Sequence, residues 1–173
     1  MEDLWVFGYG SLMWRPGFAH VEAVPARLHG LHRSLCVYSF VHRGTPDRPG
    51  LVLGLDLGGS CRGVAFRVEA ALREETIAYL RAREQVTMVY REVERPLRLE
   101  DGTERLVTGL TYVVDRGHQQ YAGVLPLDQV VEMVARGEGQ SGINRDYVVN
   151  TMAHLDELGI HDHTLVSVVE RLR

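Results

Sequence analysis

The chain has 173 residues, a formal net charge of −4, 45% hydrophobic residues and 24% charged residues. This length is enough for one domain with its own hydrophobic core, and we expect residues 1–173 to form a single domain. Proteins that bind duplex nucleic acid usually carry a basic excess, so the acidic balance argues against a nucleic-acid partner.

All 19 basic residues are arginines, because the chain has no lysine. This excludes enzymes that form a Schiff base through a lysine, bind pyridoxal phosphate covalently, use a Walker A lysine or pair a serine with a lysine. The two cysteines, Cys36 and Cys61, cannot make a four-thiolate zinc site or a disulfide framework. The acidic start and the lack of a long apolar run predict a cytoplasmic protein without a membrane partner.

Short apolar runs bounded by turn residues predict strands in the first two-thirds of the chain. The predicted strands are Trp5–Phe7, Ala23–His29, Ser34–Phe40, Gly50–Leu57, Cys61–Val68, Val89–Leu99 and Leu106–Val114. The last two form a hairpin through Asp101-Gly102, a strong turn signal. One helix, Glu69–Glu84, interrupts the strands, with its buried positions at Leu72, Ile77 and Leu80.

The last third of the chain is predicted to be helical. The first helix covers Leu127–Arg136, and the second starts from Asn144 as N-cap and ends before Gly159. Val148, Met152 and Leu155 are the predicted buried face of the second helix, and a third, amphipathic helix carries Leu165, Val168, Val169 and Leu172. Strands followed by helices predict an α+β fold with a largely antiparallel, barrel-like sheet.

Two glycines flank an aromatic residue directly after the first predicted strand, in Gly8-Tyr9-Gly10-Ser11. Glycine permits positive φ values and close approach of a ligand to the backbone. Peptide N–H groups in such a turn can hold a carboxylate or an oxyanion. The alternative is a tight turn with no ligand.

Two other segments carry candidate chemistry. Arg43 lies in an irregular loop, where it can capture a carboxylate with two donors or pair with Asp47 or Glu84 instead. Glu84 ends the predicted helix, where the macrodipole raises a carboxylate's pKa and Arg81 and Arg83 offset it. It is a candidate general base, or a surface residue paired with a neighbouring arginine.

Sequence motifs for metal binding or for a catalytic nucleophile are absent. The eight histidines are scattered, no HExxH or GxSxG sequence occurs, and we expect no metal and no cofactor. What remains is acid–base chemistry by a carboxylate, with backbone N–H groups and arginines binding a small anionic molecule.

Seven segments, in order from about residue 4 to about residue 160, resemble the ChaC-type γ-glutamylcyclotransferase family. They are Trp5–Phe18, Phe40–Pro46, Gly63–Phe66, Tyr79–Glu84, Leu110–Val114, Tyr121–Gly123 and Ser141–Tyr147. The chain departs from some relatives at two places: Ser39 replaces an aspartate, and Val86-Thr87-Met88-Val89-Tyr90 replaces a Gly-Gly-Tyr segment. Both departures lie where they would change the shape of the pocket or the range of substrates.

The resemblance implies a cytosolic enzyme with a small mixed β-barrel, peripheral helices and no cofactor. It implies that reduced glutathione is the substrate and is converted to 5-oxoproline and cysteinylglycine. Glu84 would be the catalytic base and then acid, and the substrate-binding residues would be Val6, Phe7, Gly8, Tyr9, Gly10, Ser11, Leu12, Arg43 and Tyr121. Alternatives are a cyclotransferase for other γ-glutamyl amines or amino acids, and a non-catalytic small-molecule binding protein of the same fold. The oligomeric state is left open.

Overall fold

Five strands form a closed barrel in the computed structural model, which describes residues 2–173. The strands are Leu4–Gly8 (β1), Glu22–Ser39 (β2), Gly50–Val68 (β3), Tyr90–Leu99 (β4) and Leu106–Val114 (β5). Their order around the barrel is β1-β3-β2-β4-β5. The pairs β1–β3, β2–β4 and β4–β5 are antiparallel, whereas β1 pairs with β5 in parallel. The predicted α+β class with a largely antiparallel, mixed barrel is therefore confirmed.

Strands β2 and β3 are each longer than predicted. The predicted breaks fall near Gly30 in β2 and near Gly58 and Gly59 in β3, but both strands run through these positions. All three glycines have positive φ values, of 94°, 99° and 67°. A glycine with positive φ can bend a strand locally without ending it. These three glycines therefore mark bends within β2 and β3 and not turns between separate strands.

Four helices and a short hairpin complete the chain. The helices are Arg73–Glu84 (α1), Leu127–Arg136 (α2), Asn144–Glu157 (α3) and His163–Leu172 (α4), and the hairpin pairs Glu138–Gly139 (β6) with Gly142–Ile143 (β7). A single 3₁₀ turn, Ala70–Leu72, precedes α1 and takes the place of the predicted first turn of that helix. The helical character of the last third is confirmed.

The described residues fall into two compact units. The first contains the described part of Met1–Arg33 and Leu55–Asp115, and the second contains Ser34–Gly54 and Arg116–Arg173. Each unit takes two separate segments of the chain. The single domain expected from the chain length stays a prediction.

In the first unit, helix α1 packs on a hydrophobic cluster built by β1, β3 and β5. The buried members of this cluster are Leu4, Val6, Leu12, Val68, Leu80, Leu110 and Tyr112. Of the three residues predicted to face the core from α1, Leu80 is fully buried, and Leu72 and Ile77 pack against the cluster while partly exposed. Because Leu80 lies one turn before the end of α1, its burial positions the C-terminus of the helix against the end of β1.

In the second unit, Asn144 holds the start of α3 on strand β3. Its Oδ1 accepts a hydrogen bond from the N–H of Leu51 at 2.9 Å, and its Nδ2 donates to the Leu51 carbonyl at 2.9 Å. The prediction that Asn144 caps α3 is wrong, because Ile143 occupies the cap position and Asn144 is the first helical residue. The fully buried amide serves a neighbouring strand instead of its own helix.

We expect Asn144→Ala to destabilise the protein, because it leaves the buried N–H and C=O of Leu51 without partners. An unsatisfied buried polar group costs roughly 1–3 kcal/mol, so the free energy of unfolding should fall by about 2–4 kcal/mol in urea denaturation. Asn150→Ala removes the same kind of side chain from an exposed position of α3 and should change the free energy of unfolding by less than about 0.5 kcal/mol. Equal effects of the two substitutions would contradict this role of Asn144.

Candidate active site

The turn after β1 brings two backbone segments into close contact. A Cβ atom added at Gly8 would lie 3.1 Å from the Cβ of Leu12 and 3.3 Å from the N of Met13, so Gly8 is needed for space. Gly10 has φ −135° and ψ −130°, so the turn does not use the left-handed conformation that glycine permits there. From Ser11 to Met13 the chain forms one 3₁₀ turn.

Hydrogen bonds to its carbonyl groups fix the turn from two sides. The Thr111 hydroxyl donates to the Phe7 carbonyl at 3.1 Å, and Nε of the buried Arg33 donates to the Tyr9 carbonyl at 2.7 Å. The N–H groups of Gly10, Ser11 and Leu12 have no acceptor within the described residues 2–173. The turn is therefore held through its carbonyls, and these three N–H donors are available to a ligand.

Glu84 is the last residue of α1, and its side chain is only 17% exposed. Burial raises the pKa of this carboxyl group, and the positive charge of Arg83 opposes the shift. No hydrogen bond to the carboxylate occurs within the described part of the chain. A buried carboxylate with a raised pKa and free lone pairs can accept a proton from a bound substrate.

Arg83 connects Glu84 to the turn. Its Nε lies 3.7 Å from Oε1 of Glu84, and its Nη2 donates to the Ser11 hydroxyl at 3.0 Å. The first unit therefore brings the predicted base and the predicted Val6–Leu12 segment together. Glu84 pairs with a neighbouring arginine, which is one of the two sequence predictions, but its side chain is largely withdrawn from solvent.

A second carboxylate, Glu92, forms a hydrogen-bonded group with Tyr112 and Arg81, and no sequence motif indicates it. The buried Tyr112 donates a hydrogen bond to Oε1 of Glu92 at 2.8 Å, and Arg81 donates to the two oxygens of Glu92 at 3.0 and 2.9 Å. Burial chiefly raises the pKa of Tyr112, the hydrogen bond to Glu92 adds to the shift, and the charge of Glu84 contributes. Glu92 and Tyr112 face each other in the β4–β5 register. A two-residue turn at the predicted Asp101-Gly102 would pair Glu92 with Thr111, so the sequence predicts the hairpin but not this register.

The segment after Glu84 departs from the family pattern and is exposed. Val86 and Met88 are 78% and 58% exposed, and Met88 has a φ of 62°. A non-glycine residue with positive φ carries backbone strain, which is concentrated at functional sites in many proteins. The structure therefore places two apolar side chains in solvent within four residues of the candidate base.

Arg43 belongs to the second unit. Its backbone N–H donates to the Ser39 hydroxyl at 2.9 Å, its Nη1 donates to the Ile143 carbonyl at 3.1 Å, and its guanidinium lies 5.6 Å from the ring centre of Tyr147. Asp47, in the same loop, does not pair with it. Ser39, the second departure from the family pattern, thus caps the turn that carries Arg43.

Tyr121 also belongs to the second unit, where it forms an isolated antiparallel bridge with Val37. The guanidinium of Arg116 lies 5.6 Å from the centre of the Tyr121 ring. Both residues predicted to bind substrate outside the turn are therefore half-buried and held by contacts within the second unit. Their roles in binding stay predictions.

Residues 2–173 contain no group of three or more His, Cys, Asp or Glu side chains placed to hold a metal ion. No helix in this range is long and apolar enough to cross a membrane.

The comparisons with known proteins agree on one family. The family described as ChaC-like protein matches residues 4–173. The glutathione-specific γ-glutamylcyclotransferase of Escherichia coli (strain K12) is 33% identical over 94% of this chain and 69% of its own length. Glutathione-specific γ-glutamylcyclotransferase 1 of Homo sapiens is 30% identical over 98% of this chain and 78% of its own length.

A solved structure shows the same fold. The crystal structure of a γ-glutamyl cyclotransferase specific to glutathione from yeast superimposes with a TM-score of 0.86 and 22% sequence identity, covering 99% of this chain and 96% of that one. The peripheral helices and barrel expected from the resemblance are therefore confirmed. Together with the match over residues 4–173, these findings establish that the chain belongs to the ChaC-like protein family.

Proposed function

We propose that this protein is a glutathione-specific γ-glutamylcyclotransferase, a carbon–nitrogen lyase that acts in the cytoplasm and converts reduced glutathione to 5-oxoproline and cysteinylglycine. The observation that carries the proposal is Glu84, a buried carboxylate without a hydrogen bond among residues 2–173, held by Arg83 next to the turn after β1. The E. coli and human relatives are named for the same glutathione-specific activity, which supports the proposal.

The reaction needs no nucleophile from the protein, because the substrate supplies its own α-amine. This amine is mostly protonated at neutral pH, since α-amino groups titrate at roughly 8. Glu84 removes one proton from the ammonium group, and the free amine nitrogen attacks the γ-carbonyl carbon and forms the ring C–N bond. Glu84 returns this proton to the cysteinyl nitrogen as the bond between that nitrogen and the γ-carbon breaks. The ring nitrogen then loses its second proton to the leaving amine, again through Glu84, so that 5-oxoproline has a neutral lactam N–H and cysteinylglycine leaves as an ammonium. One carboxylate thus acts first as base and then as acid.

The turn after β1 supplies hydrogen-bond donors for the charged parts of the substrate. The N–H groups of Gly10, Ser11 and Leu12 are candidates for binding the glutamyl carboxylate or the oxyanion that forms at the γ-carbonyl. Cyclisation also requires that the γ-glutamyl chain be folded so that nitrogen meets carbonyl. Correct positioning of two reacting groups can supply several kcal/mol of catalysis.

Arg43 and Tyr121 are further proposed substrate-binding residues. Glutathione carries two carboxylates and the protein a net charge of −4, so long-range attraction does not favour binding and local donors have to capture the carboxylates. The Arg43 guanidinium has one protein hydrogen bond, to the Ile143 carbonyl, and can offer further N–H groups to a ligand.

The direct test is to incubate the purified protein with reduced glutathione and measure 5-oxoproline and cysteinylglycine by mass spectrometry. We expect both products in equal amounts. γ-Glutamylalanine and a γ-glutamyl amine serve as competing substrates. Faster turnover of either would contradict glutathione specificity while leaving the cyclisation chemistry intact. If none of the three compounds gave a product, the proposal that the protein is an enzyme of this kind would be wrong.

We expect Glu84→Gln to lower kcat by about 10²–10⁴-fold, because glutamine keeps the size of the side chain but cannot accept the proton. Steady-state kinetics with glutathione measures the effect. Glu74→Gln, an exposed residue at the other end of α1, is the matched control and should retain wild-type turnover. Wild-type kcat in Glu84→Gln would show that another group is the base.

The same substitution should not lower stability. Burial raises the pKa of Glu84 in the folded state above its unfolded value, so between these two pKa values the folded state binds more protons and stability falls as pH rises. Above both values the ionised carboxylate carries the full cost of burial, and glutamine does not. Thermal unfolding at pH 7 should therefore give Glu84→Gln a Tm equal to or above that of the wild type. A lower Tm would mean that the ionised group stabilises the fold.

We expect Arg43→Ala to raise KM more than it lowers kcat, and Arg43→Lys to do so less strongly, because lysine keeps the charge but not the two-donor fork. A charge-assisted hydrogen bond is worth roughly 1.5–3 kcal/mol, or about 10- to 100-fold in affinity. Arg48→Ala, from an exposed position of the same loop, is the control and should leave KM unchanged. An unchanged KM for Arg43→Ala would exclude Arg43 from substrate recognition.

A further inference from the structure

We infer that Arg83 is a positioning residue: it locks the loop after β1 onto the C-terminus of α1 and supplies the positive charge that faces Glu84. The inference deepens the proposed function and rests on it for its catalytic consequence. Its structural part, a guanidinium that controls the charge and place of the Glu84 carboxylate, stands on the geometry of the first unit alone.

Arg83 makes more polar contacts than a surface ion pair needs. Its Nη1 donates to the carbonyls of Arg15 and Pro16 at 2.6 and 3.1 Å and to the Tyr79 hydroxyl at 3.1 Å. Its Nη2 donates to the Ser11 hydroxyl at 3.0 Å. The contacts with Ser11, Arg15 and Pro16 join both ends of the loop of residues 11–16 to the last turn of α1.

The remaining nitrogen of Arg83 faces the carboxylate. Nε lies 3.7 Å from Oε1 of Glu84, which is too long for a hydrogen bond but close enough for a strong charge interaction. The carboxylate thus gains a positive neighbour and keeps its lone pairs for a substrate proton. A lysine could supply the charge but could not make the bonds to the loop in the same geometry.

Tyr79, one turn before Arg83 in α1, lies between the guanidinium and the loop. Its hydroxyl group contacts Nη1 of Arg83, and a Cβ atom at Gly17 would overlap that hydroxyl oxygen. Gly17 has a φ of 73°, which glycine adopts without strain. The ring of Tyr79 also meets that of Phe18 edge to face, with centroids 6.4 Å apart. The loop therefore fits against Tyr79 only because residue 17 has no side chain.

Few other charged or titratable groups act on Glu84. Tyr112 approaches it from β5, but its hydroxyl donates to Glu92 on β4. The charge of Glu92 is in turn neutralised by two hydrogen bonds from Arg81. Within residues 2–173, Arg83 is the cation that forms an ion pair with Glu84. Removing this charge leaves the burial of the carboxylate unopposed.

The experiment compares Arg83→Met, Arg83→Lys and the control Arg91→Met. Methionine keeps part of the aliphatic side chain but has no charge and no hydrogen-bond donor. Lysine keeps the charge but lacks the planar set of N–H donors of the guanidinium. Arg91 is an exposed residue of β4 that pairs with Asp115, and its substitution makes the same change in net charge. Two quantities are measured: the pKa of Glu84 by ¹³C NMR of its carboxyl carbon, and kcat/KM for glutathione as a function of pH.

In Arg83→Met we expect a higher pKa of Glu84, an acid limb of the pH profile displaced to higher pH, and a kcat/KM lower by about 10- to 100-fold at pH 7. Raising the pH should recover part of this loss, because it restores the carboxylate. Arg83→Lys should keep the pKa of Glu84 near its wild-type position and still lose kcat, since the loop is no longer held. Arg91→Met should match the wild type in both measurements.

Three outcomes would overturn the inference. One is a folded Arg83→Met protein with the wild-type pKa of Glu84 and the wild-type pH profile. Another is an equal shift of the Glu84 pKa and of the pH profile in Arg91→Met, which would show that the effect comes from the change in net charge. The third is full activity in Arg83→Lys. Failure of the proposed function looks different: the wild type would not convert glutathione, yet the NMR titration would still report whether Arg83 controls Glu84.

Discussion

The packing of Leu80 into the cluster of β1, β3 and β5 is the constraint from which the geometry of the first unit follows. Leu80 is fully buried, and Glu84 lies one helical turn beyond it, so the core contact positions the carboxylate as well as the helix. Leu12, at the other side of the candidate site, belongs to the same cluster. Glu84 and the turn are thus attached to one set of buried side chains, and this shared support keeps them in register.

Burying a carboxylate costs free energy unless hydrogen bonds or a cation compensate it. Glu92 on β4 and Glu84 on α1 differ in how this cost is offset. Glu92 is compensated by two bonds from Arg81 and one from Tyr112, which lower its pKa, with the Arg81 bonds foremost. Glu84 receives only the charge of Arg83, and its pKa is raised by burial. Two carboxylates whose surroundings move their pKa values in opposite directions are a recurrent feature of acid–base sites, and the group with the raised value is the one suited to accept a proton.

Sequence patterning predicted the α+β class, the hairpin and the helical last third, because short apolar periods and an Asp-Gly turn are local signals. It misjudged Gly30, Gly58 and Gly59, since a glycine that bends a strand and one that ends it look alike without the partner strand. The cap at Asn144 was also misassigned, because the amide bonds to Leu51, 93 positions away in the sequence. Glu84 was predicted as the base from its place at the end of a helix, whereas the contacts of Arg83 with the loop span 67 to 72 positions and leave no local pattern.

The arginine-only composition has a chemical consequence for this site. A lysine near a buried carboxylate can lose its proton and become a competing base, whereas an arginine stays protonated in proteins. Arg33 and Arg83 therefore provide fixed donors at the turn, Arg81 provides a fixed charge at Glu92, and none of the three competes with Glu84 for a proton. In the proposed reaction the substrate brings its own nucleophile, so the protein has to supply only correct positioning, one carboxylate that accepts a proton and cations that stay protonated. The first unit holds these elements within a few side-chain contacts of one another.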